Sequence, residues 1–207
     1  MKLYAKSMRC FNLVKGVLFL FVWISFQLVS AQDYYAKGQI EMREQNYVKA
    51  AHYFEQGVKA EPKNVTLINA WGLCLMKLKN HATADSILKT ALDLDSQYIT
   101  TVQNLAVNNA QWGRDSMAIV WFTLFLEQGK GKSLDPADAH FQIILCYKRL
   151  LYTQGLSEEQ KQDFLSHIFL FKKYRPDSPY NRPLEDLEHE LVHKASLENN
   201  KYYLNKE

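Results

Sequence analysis

The fold of this chain is decided by residues 65–98, which read VTLINAWGLCLMKLKNHATADSILKTALDLDSQY. This stretch is the middle one of three adjoining segments, 31–64, 65–98 and 99–132, each 34 residues long. Small residues recur at offsets 8, 20 and 27 of the segments, where they would let neighbouring helices approach closely. Phe125 is the exception at offset 27. The recurring residues are Gly38, Gly72 and Ala106, then Ala50, Ala84 and Ala118, and then Gly57 and Ala91.

Bulky residues occupy other fixed offsets of the same segments, and a proline closes the first segment. This spacing resembles that of the tetratricopeptide repeat family. The resemblance implies an all-α fold, in which antiparallel helix pairs form a right-handed superhelical stack, a TPR-like solenoid. The residues that carry the resemblance are Tyr34, Ile68 and Val102 at offset 4, Trp71 and Leu105 at offset 7, Phe54, Leu88 and Phe122 at offset 24, and Pro62 at offset 32. Lys37, Glu41 and Asn109 depart from the family pattern.

Apolar periodicity and capping residues predict where the helices of the three repeats begin and end. Asn46 and Asn80 precede the second helix of the first two pairs, where an asparagine side chain can accept a hydrogen bond from a free backbone amide. Gly113 is predicted to lie in the turn between the two helices of the third pair. The predicted pairs are 33–45 with 48–60, 65–78 with 82–94, and 99–112 with 115–128.

A fourth, degenerate helix pair is predicted over residues 135–176. Asp135 and Pro136 are typical of a helix start, with proline at the first helical position, and Ser157 with Gln160 forms a capping box for the second helix. Bulky Phe164 and Phe171 stand near offsets where the family keeps small residues. We therefore expect the two helices of this pair to be splayed or repacked.

A last helix is predicted over residues 181–200, with leucines on one side and charged residues on the rest. Repeat stacks need a terminal element with one apolar and one polar face. This segment fits a capping helix, and residues 32–207 are predicted to form a single TPR-like domain that ends with it. The leucines are Leu184, Leu187 and Leu191.

The first 31 residues have the composition of a secretory leader. Four basic residues precede an apolar run from Val17 to Val29, and the small residues Val29 and Ala31 predict cleavage before Gln32. An uncleaved anchor stays open as an alternative, although the run is shorter than the roughly 20 residues of a membrane-spanning helix. Translation from Met8 instead of Met1 would give a more compact leader.

Removing the leader changes the charge of the protein. The whole chain has 25 Lys and Arg against 22 Asp and Glu, and the leader holds four of the basic residues and none of the acidic ones. The remainder has a net charge near −1, which leaves no basic face that would indicate nucleic-acid binding. We expect an exported protein, periplasmic or associated with the cell envelope of a bacterium with an outer membrane, and in contact with a membrane only through an uncleaved leader.

Two cysteines follow the leader, Cys74 and Cys146, each within an apolar helical segment. Helices two repeats apart hold their backbones beyond the reach of a disulfide, because packed helices are 8–10 Å apart. Two buried free thiols are therefore predicted. No further ligands are spaced around them for a metal, and no cofactor is expected.

One segment, His189-Glu190-Leu191-Val192-His193, matches a zinc-protease motif, in which two histidines four residues apart bind zinc and the glutamate activates a water molecule. The context argues against this function. Helical geometry places both histidines away from the leucine side of the helix, towards solvent. No strand-like segment precedes the helix, and a third ligand is missing. A zinc-dependent hydrolase is kept as the alternative function.

In tetratricopeptide folds, the first helix of each pair lines the concave inner surface, and the resemblance implies the same here. The side chains at the inner offsets combine amides, which can bind the backbone of an extended peptide, with adaptable apolar groups. Some members of the family bind a C-terminal carboxylate through lysine, arginine and asparagine side chains at set offsets. These residues are absent here, because Tyr35, Ala70 and Thr100 occupy three of those offsets. The candidate groove residues are Tyr35, Gln39, Met42, Arg43, Asn69, Leu73, Met76, Lys77, Gln103, Asn104, Val107, Ala110 and Gln111.

These observations predict a non-enzymatic scaffold or adaptor that binds a protein or peptide partner in its groove. The identity of the partner does not follow from the sequence. A module for lateral self-association is a further alternative, and the sequence does not separate it from an adaptor.

Overall fold

The computed structural model describes residues 31–132 and 135–204, with side chains as far as Val192. This part of the chain is helical and contains no strand, so the predicted all-α fold class is confirmed. Backbone contacts divide the chain into two compact units, Met1–Ser96 and Gln97–Glu207. Of the predicted leader, only Ala31 is among the described residues, and it lies buried in the first helix.

The described part of the first unit contains four helices, in which each helix packs on the one before it. The predicted bounds of α2, α3 and α4 differ from the observed ones by at most one residue. The helices are α1 over residues 31–43, α2 Tyr47–Ala60, α3 Val65–Lys77 and α4 His81–Leu94.

Small residues set the spacing of these helices. A Cβ atom on Gly38 would lie 2.5 Å from Phe54 Cε1, and one on Gly72 would lie 2.7 Å from Leu88 Cδ2. Gly57 is similarly crowded by the next helix along the chain. Because non-bonded carbons pack at about 3.5–4.0 Å, no larger residue fits these positions without movement. The alanines at the same offsets in both units are fully buried: Ala50, Ala84, Ala91, Ala106 and Ala118.

In each of the first three repeats, the turn that connects the two helices contains a residue with left-handed backbone angles at offset 15. The residues are Gln45 (φ 60°), Lys79 (φ 59°) and Gly113 (φ 80°). In the first turn, the backbone N–H of Asn46 donates to the Glu41 carbonyl at 2.8 Å, which is the long hydrogen bond of a Schellman motif. The sequence predicts that Gly113 lies in the turn, but it gives no such prediction for Gln45 or Lys79.

The predicted capping hydrogen bonds of Asn46 and Asn80 are wrong. Both residues directly precede a helix, but neither side chain accepts a bond from a helical amide. Their ψ angles of 62° and 64° fall short of the extended backbone that a capping side chain needs. Asn64, with ψ 95°, does accept a hydrogen bond from the Leu67 amide at 3.2 Å, and thereby caps α3.

The second unit contains five described helices, again packed in chain order. Arg149 Nε donates to Asp115 Oδ1 at 2.9 Å, which ties the second helix of the third repeat to the helix that follows it. The helices are α5 Ile99–Gln111, α6 Asp115–Gly129, α7 Ala137–Thr153, α8 Glu158–Tyr174 and α9 Asn181–Leu204.

The predicted fourth pair corresponds to α7 and α8. Helix α7 begins at Ala137, one residue later than predicted, and Asp135 Oδ1 accepts a hydrogen bond from the Ala137 amide at 2.9 Å. The predicted capping box of α8, formed by Ser157 and Gln160, is confirmed. Gly155, with φ 79°, lies in the turn between the two helices.

Aromatic rings fill the interface between α7 and α8 in place of small residues. Phe164 is completely buried and stacks on Tyr147 with ring centroids 5.4 Å apart. Phe171 is 5.1 Å from the ring of Phe141. The bulky residues therefore form the core of a repacked pair.

Helix α9 buries Leu184, Leu187 and Leu191 against the rest of the second unit, as the capping-helix prediction requires. It runs four residues beyond the predicted end at residue 200. Lys172 on α8 donates to Glu188 on α9 at 3.0 Å, which adds a polar contact at the edge of the leucine face. None of the described helices has the length and apolarity needed to cross a membrane.

Candidate functional site

Two side chains of the predicted inner surface anchor α1 in the first unit. The ring of Tyr35 lies 5.8 Å from that of Phe54, and the thiol of Cys74 on α3 contacts Met42 Sδ at 3.1 Å. Both Tyr35 and Met42 are half-buried and pack on the core that Phe54 and Cys74 help to form. These contacts place α1 beside α3. In this unit, α1 and α3 are the first helices of the two helix pairs.

Three polar side chains of the predicted face are open to a partner. Gln39 is half-buried, and Arg43 and Lys77 are exposed. Among the described residues, none of the three forms a hydrogen bond or an ion pair. Leu73 lies one turn before Lys77 on α3 and is half-buried. The face therefore combines unpaired donors with apolar surface.

Asn69 and Met76 belong to the same predicted set but are only 5% and 3% exposed. The side-chain amide of Asn69 donates to the Val65 carbonyl of its own helix at 3.1 Å. Little of either residue is accessible to a partner, so the accessible part of the predicted face on α3 consists of Leu73 and Lys77.

A concavity of about 390 Å³ lies at one end of this face. Tyr35 and Gln32 of α1 line it from one side, and Thr66 and Leu67 of α3 from another. Its walls are both polar and apolar, which suits a peptide side chain. Residues at the start of α1 and α3 thus shape the surface beyond the offsets that the sequence singled out.

The five candidate residues of the second unit lie on α5. Gln103 and Gln111 are exposed, and Asn104, Val107 and Ala110 are half-buried. Next to them, Asn109 is 1% exposed, and its side-chain amide donates to the Leu105 carbonyl at 2.9 Å. The departure of Asn109 from the family pattern is therefore accommodated by a hydrogen bond within its own helix.

The zinc-protease motif lies on α9. His189 is exposed, and Glu190 is half-buried, 3.4 Å from the hydroxyl of Tyr152. The side chain of His193 lies outside the described residues. Among those described, no three His, Cys, Asp or Glu side chains are grouped to hold a metal ion.

A buried histidine pair in the second unit has no counterpart in the sequence analysis. His140 Nδ1 and His167 Nδ1 are 2.8 Å apart, and each residue is 6% exposed. One ring must donate and the other accept, so the two Nδ1 atoms cannot both carry a proton. The ring of Tyr174 stacks on His140 with centroids 5.7 Å apart. No sequence signal connects two histidines 27 residues apart on different helices.

The surroundings of this pair disfavour protonation of the two histidine rings. Burial, and secondarily the neighbouring His167, lower the pKa of His140 from 6.5 to about 4. Burial also lowers the pKa of His167, although Asp163 acts in the opposite direction. Burial raises the pKa of Tyr147, and so does the hydrogen bond that its hydroxyl donates to Asp163 at 2.6 Å. The histidine pair and the hydrogen bond between Tyr147 and Asp163 join α7 to α8.

The predicted free thiols are confirmed. Cys74 and Cys146 are both completely buried and unpaired with each other. Burial raises the pKa of each thiol to about 12, so neither has the thiolate character of a reactive or metal-binding cysteine.

Comparisons with solved structures identify the fold. YrrB, a TPR protein with an unusual peptide-binding site, has a TM-score of 0.60 at 21% identity over 84% of this chain and 88% of YrrB. MamA has a TM-score of 0.61 at 17% identity over 83% of this chain and 93% of MamA. These matches confirm a TPR-like helical fold.

Another match is a mutant O-GlcNAc transferase of Thermobaculum terrenum, with a TM-score of 0.57 at 14% identity. It covers 71% of this chain but only 26% of the transferase. No curated protein sequence matches the chain. The family model of the coatomer epsilon subunit matches residues 31–134, just over half of the chain, and the chain therefore belongs to that family.

Proposed function

We propose that this protein is a non-enzymatic scaffold that binds an extended peptide or a partner helix through α1 and α3. The observation that carries the proposal is the set of unpaired polar side chains, Gln39, Arg43 and Lys77, beside half-buried Leu73 on the predicted inner face. A peptide backbone or side chain would satisfy these donors, while Leu73 would contribute apolar contact. The peptide-binding site of YrrB, which has the same fold, supports this function.

Charge indicates the chemistry of the partner. Arg43 and Lys77 occupy the same offset, 13, of successive first helices, and both are exposed. Cations at equivalent positions of adjacent helices favour a segment that carries acidic side chains. Tyr35 and Leu73 lie on the same face and favour apolar groups between the acidic ones. The partner is therefore a segment of mixed acidic and apolar character.

The proposed location is the cell envelope of a bacterium with an outer membrane. The basic and apolar composition of residues 1–31 supports export. Outside the cytoplasm, a scaffold of this kind would assemble or stabilise other envelope proteins.

The proposal is tested by selecting peptides from a displayed library on the purified protein and measuring their affinity by fluorescence anisotropy. The selected peptides are expected to contain acidic and apolar residues. Combined substitution of Arg43→Ala, Leu73→Ala and Lys77→Ala should weaken their binding about tenfold or more, the amount expected from losing two charged contacts and one apolar contact.

A matched control removes equal charge elsewhere in the same unit. Lys49→Ala with Lys63→Ala changes two exposed lysines outside the predicted face and should leave the affinity unchanged. If no peptide binds specifically, or if both variants bind as well as the unmodified protein, the proposed function is wrong.

A further inference from the structure

The second unit contains a cavity of about 500 Å³ where α6 ends and α7 begins. Phe125 and Leu126 of α6 and Leu170 of α8 give it apolar walls. Small-molecule sites in proteins are mostly apolar clefts of about 300–1,000 Å³ with a few polar groups. The cavity therefore has the size and lining of a site for a small ligand.

Among the described residues that line this cavity, the charged side chains have one sign. Lys130 and Lys132 line it, and no acidic side chain is among the described residues that do so. Neither lysine pairs with another described residue, whereas Lys161 and Lys172 of the same unit form ion pairs with glutamates. Two unpaired ammonium groups beside an apolar cavity favour an anionic ligand with an apolar body.

A buried polar group also lines the cavity. His140 is 6% exposed, and its Nδ1 is engaged by His167. Within the described part of the chain, its other nitrogen, Nε2, has no hydrogen-bond partner. Tyr174, which stacks on His140, completes this wall. The cavity wall thus includes an imidazole ring, one nitrogen of which has no hydrogen-bond partner among the described residues.

We propose that this cavity binds a small amphiphilic carboxylate, a medium-chain fatty acid being the simplest case. The acyl chain packs against Phe125, Leu126 and Leu170, and the carboxylate pairs with Lys130 and Lys132. The site shares no residue with the proposed peptide-binding face, because all of its residues belong to the second unit.

Isothermal titration calorimetry with the full-length purified protein tests the proposal, with decanoate as the probe. Decanoate should bind at one site, decanol should bind about tenfold more weakly, and acetate should give no heat of binding, because the site needs both the charge and the chain. Absence of saturable decanoate binding, or equal binding of decanol, would overturn the proposal.

Variants locate the site. Combined substitution of Lys130→Gln and Lys132→Gln should weaken decanoate binding about tenfold and leave decanol binding unchanged. The matched control, Lys148→Gln with Lys173→Gln, changes two lysines outside the cavity and should leave the binding of both probes unchanged. In ¹H–¹⁵N spectra, decanoate should shift the amide signals of Gly129 and Gly131. Shifts confined to other residues, or equal affinity loss in both lysine pairs, would contradict the assignment.

Discussion

Gly38 shows how one missing side chain fixes the distance between two helices. It faces Phe54, which is completely buried, and three ring atoms lie within 3.0 Å of where a Cβ would stand. Gly38→Ala should lower the free energy of unfolding by about 1 kcal/mol, because overpacking costs about 1–3 kcal/mol and the higher helix propensity of alanine returns about 1 kcal/mol. Urea denaturation followed by circular dichroism measures the change.

A double-mutant cycle separates the two contributions. In a Phe54→Ala background the ring is absent, so Gly38→Ala should raise the free energy of unfolding through helix propensity alone. Equal destabilisation in both backgrounds would mean that the ring does not explain the need for glycine.

The left-handed turn residues give a second test at this scale. Lys79 is exposed and adopts φ 59°, a conformation that costs a residue with a Cβ about 1 kcal/mol. Lys79→Gly should therefore stabilise the protein by about 0.5–1 kcal/mol, measured as a shift of the urea midpoint. Gly113→Ala, at the same offset and with open space around its Cβ, should destabilise it by a similar amount. A neutral or destabilising Lys79→Gly would contradict this account.

The repeat offset predicted which side of a helix a residue occupies, but not how deeply its neighbours cover it. Met42 and Met76 share offset 12, yet the first is half-buried and the second is 3% exposed. Their burial depends on the helices packed around α1 and α3, which an offset within one segment does not encode. The sequence therefore predicts a face but not which of its residues are accessible.

At the scale of helices, the histidine pair between α7 and α8 should make stability depend on pH. The pKa of His140 is lowered from 6.5 to about 4 by burial and His167, so the unfolded chain binds protons in this interval that the folded chain does not. Protonation of His140 therefore does not affect stability above about pH 6.5, and the free energy of unfolding decreases as the pH falls from there towards about 4. The free energy of unfolding should decrease by up to about 1.4 kcal/mol per pH unit for each proton involved.

Urea denaturation between about pH 7 and about pH 5 measures this dependence. His140→Gln should flatten the pH profile, and His52→Gln, at an exposed position of the first unit, should not. An identical slope in the unmodified protein and in His140→Gln would show that the pair does not cause the dependence.

Helix bounds were the most predictable property at this scale, because apolar periodicity and turn residues are local signals. Asn46 and Asn80 directly precede their helices as predicted, but neither side chain forms the predicted capping bond, because each follows a left-handed residue and its backbone is not extended. The contact of His140 with His167 was not predictable either. It depends on the register of α7 against α8, where aromatic residues have replaced the small residues that set the spacing in the other repeats.

For the whole molecule, the predicted leader bears on both the net charge and the proposed location of the protein. If residues 1–31 are removed on export, the mature protein should begin at Gln32 and carry a net charge near −1. Intact-mass spectrometry of the protein purified from its native envelope measures the starting residue. A mass that includes Val17–Val29 would instead indicate an uncleaved anchor.

The buried thiols offer a way to follow each half of the protein separately. Cys74 lies in the first unit and Cys146 in the second, and each is the only described cysteine of its unit. Because a thiol with a pKa of about 12 hardly reacts while enclosed, maleimide labelling would occur only after local opening. The modification rates of Cys74→Ser and Cys146→Ser proteins would thus report whether the halves open together or one before the other.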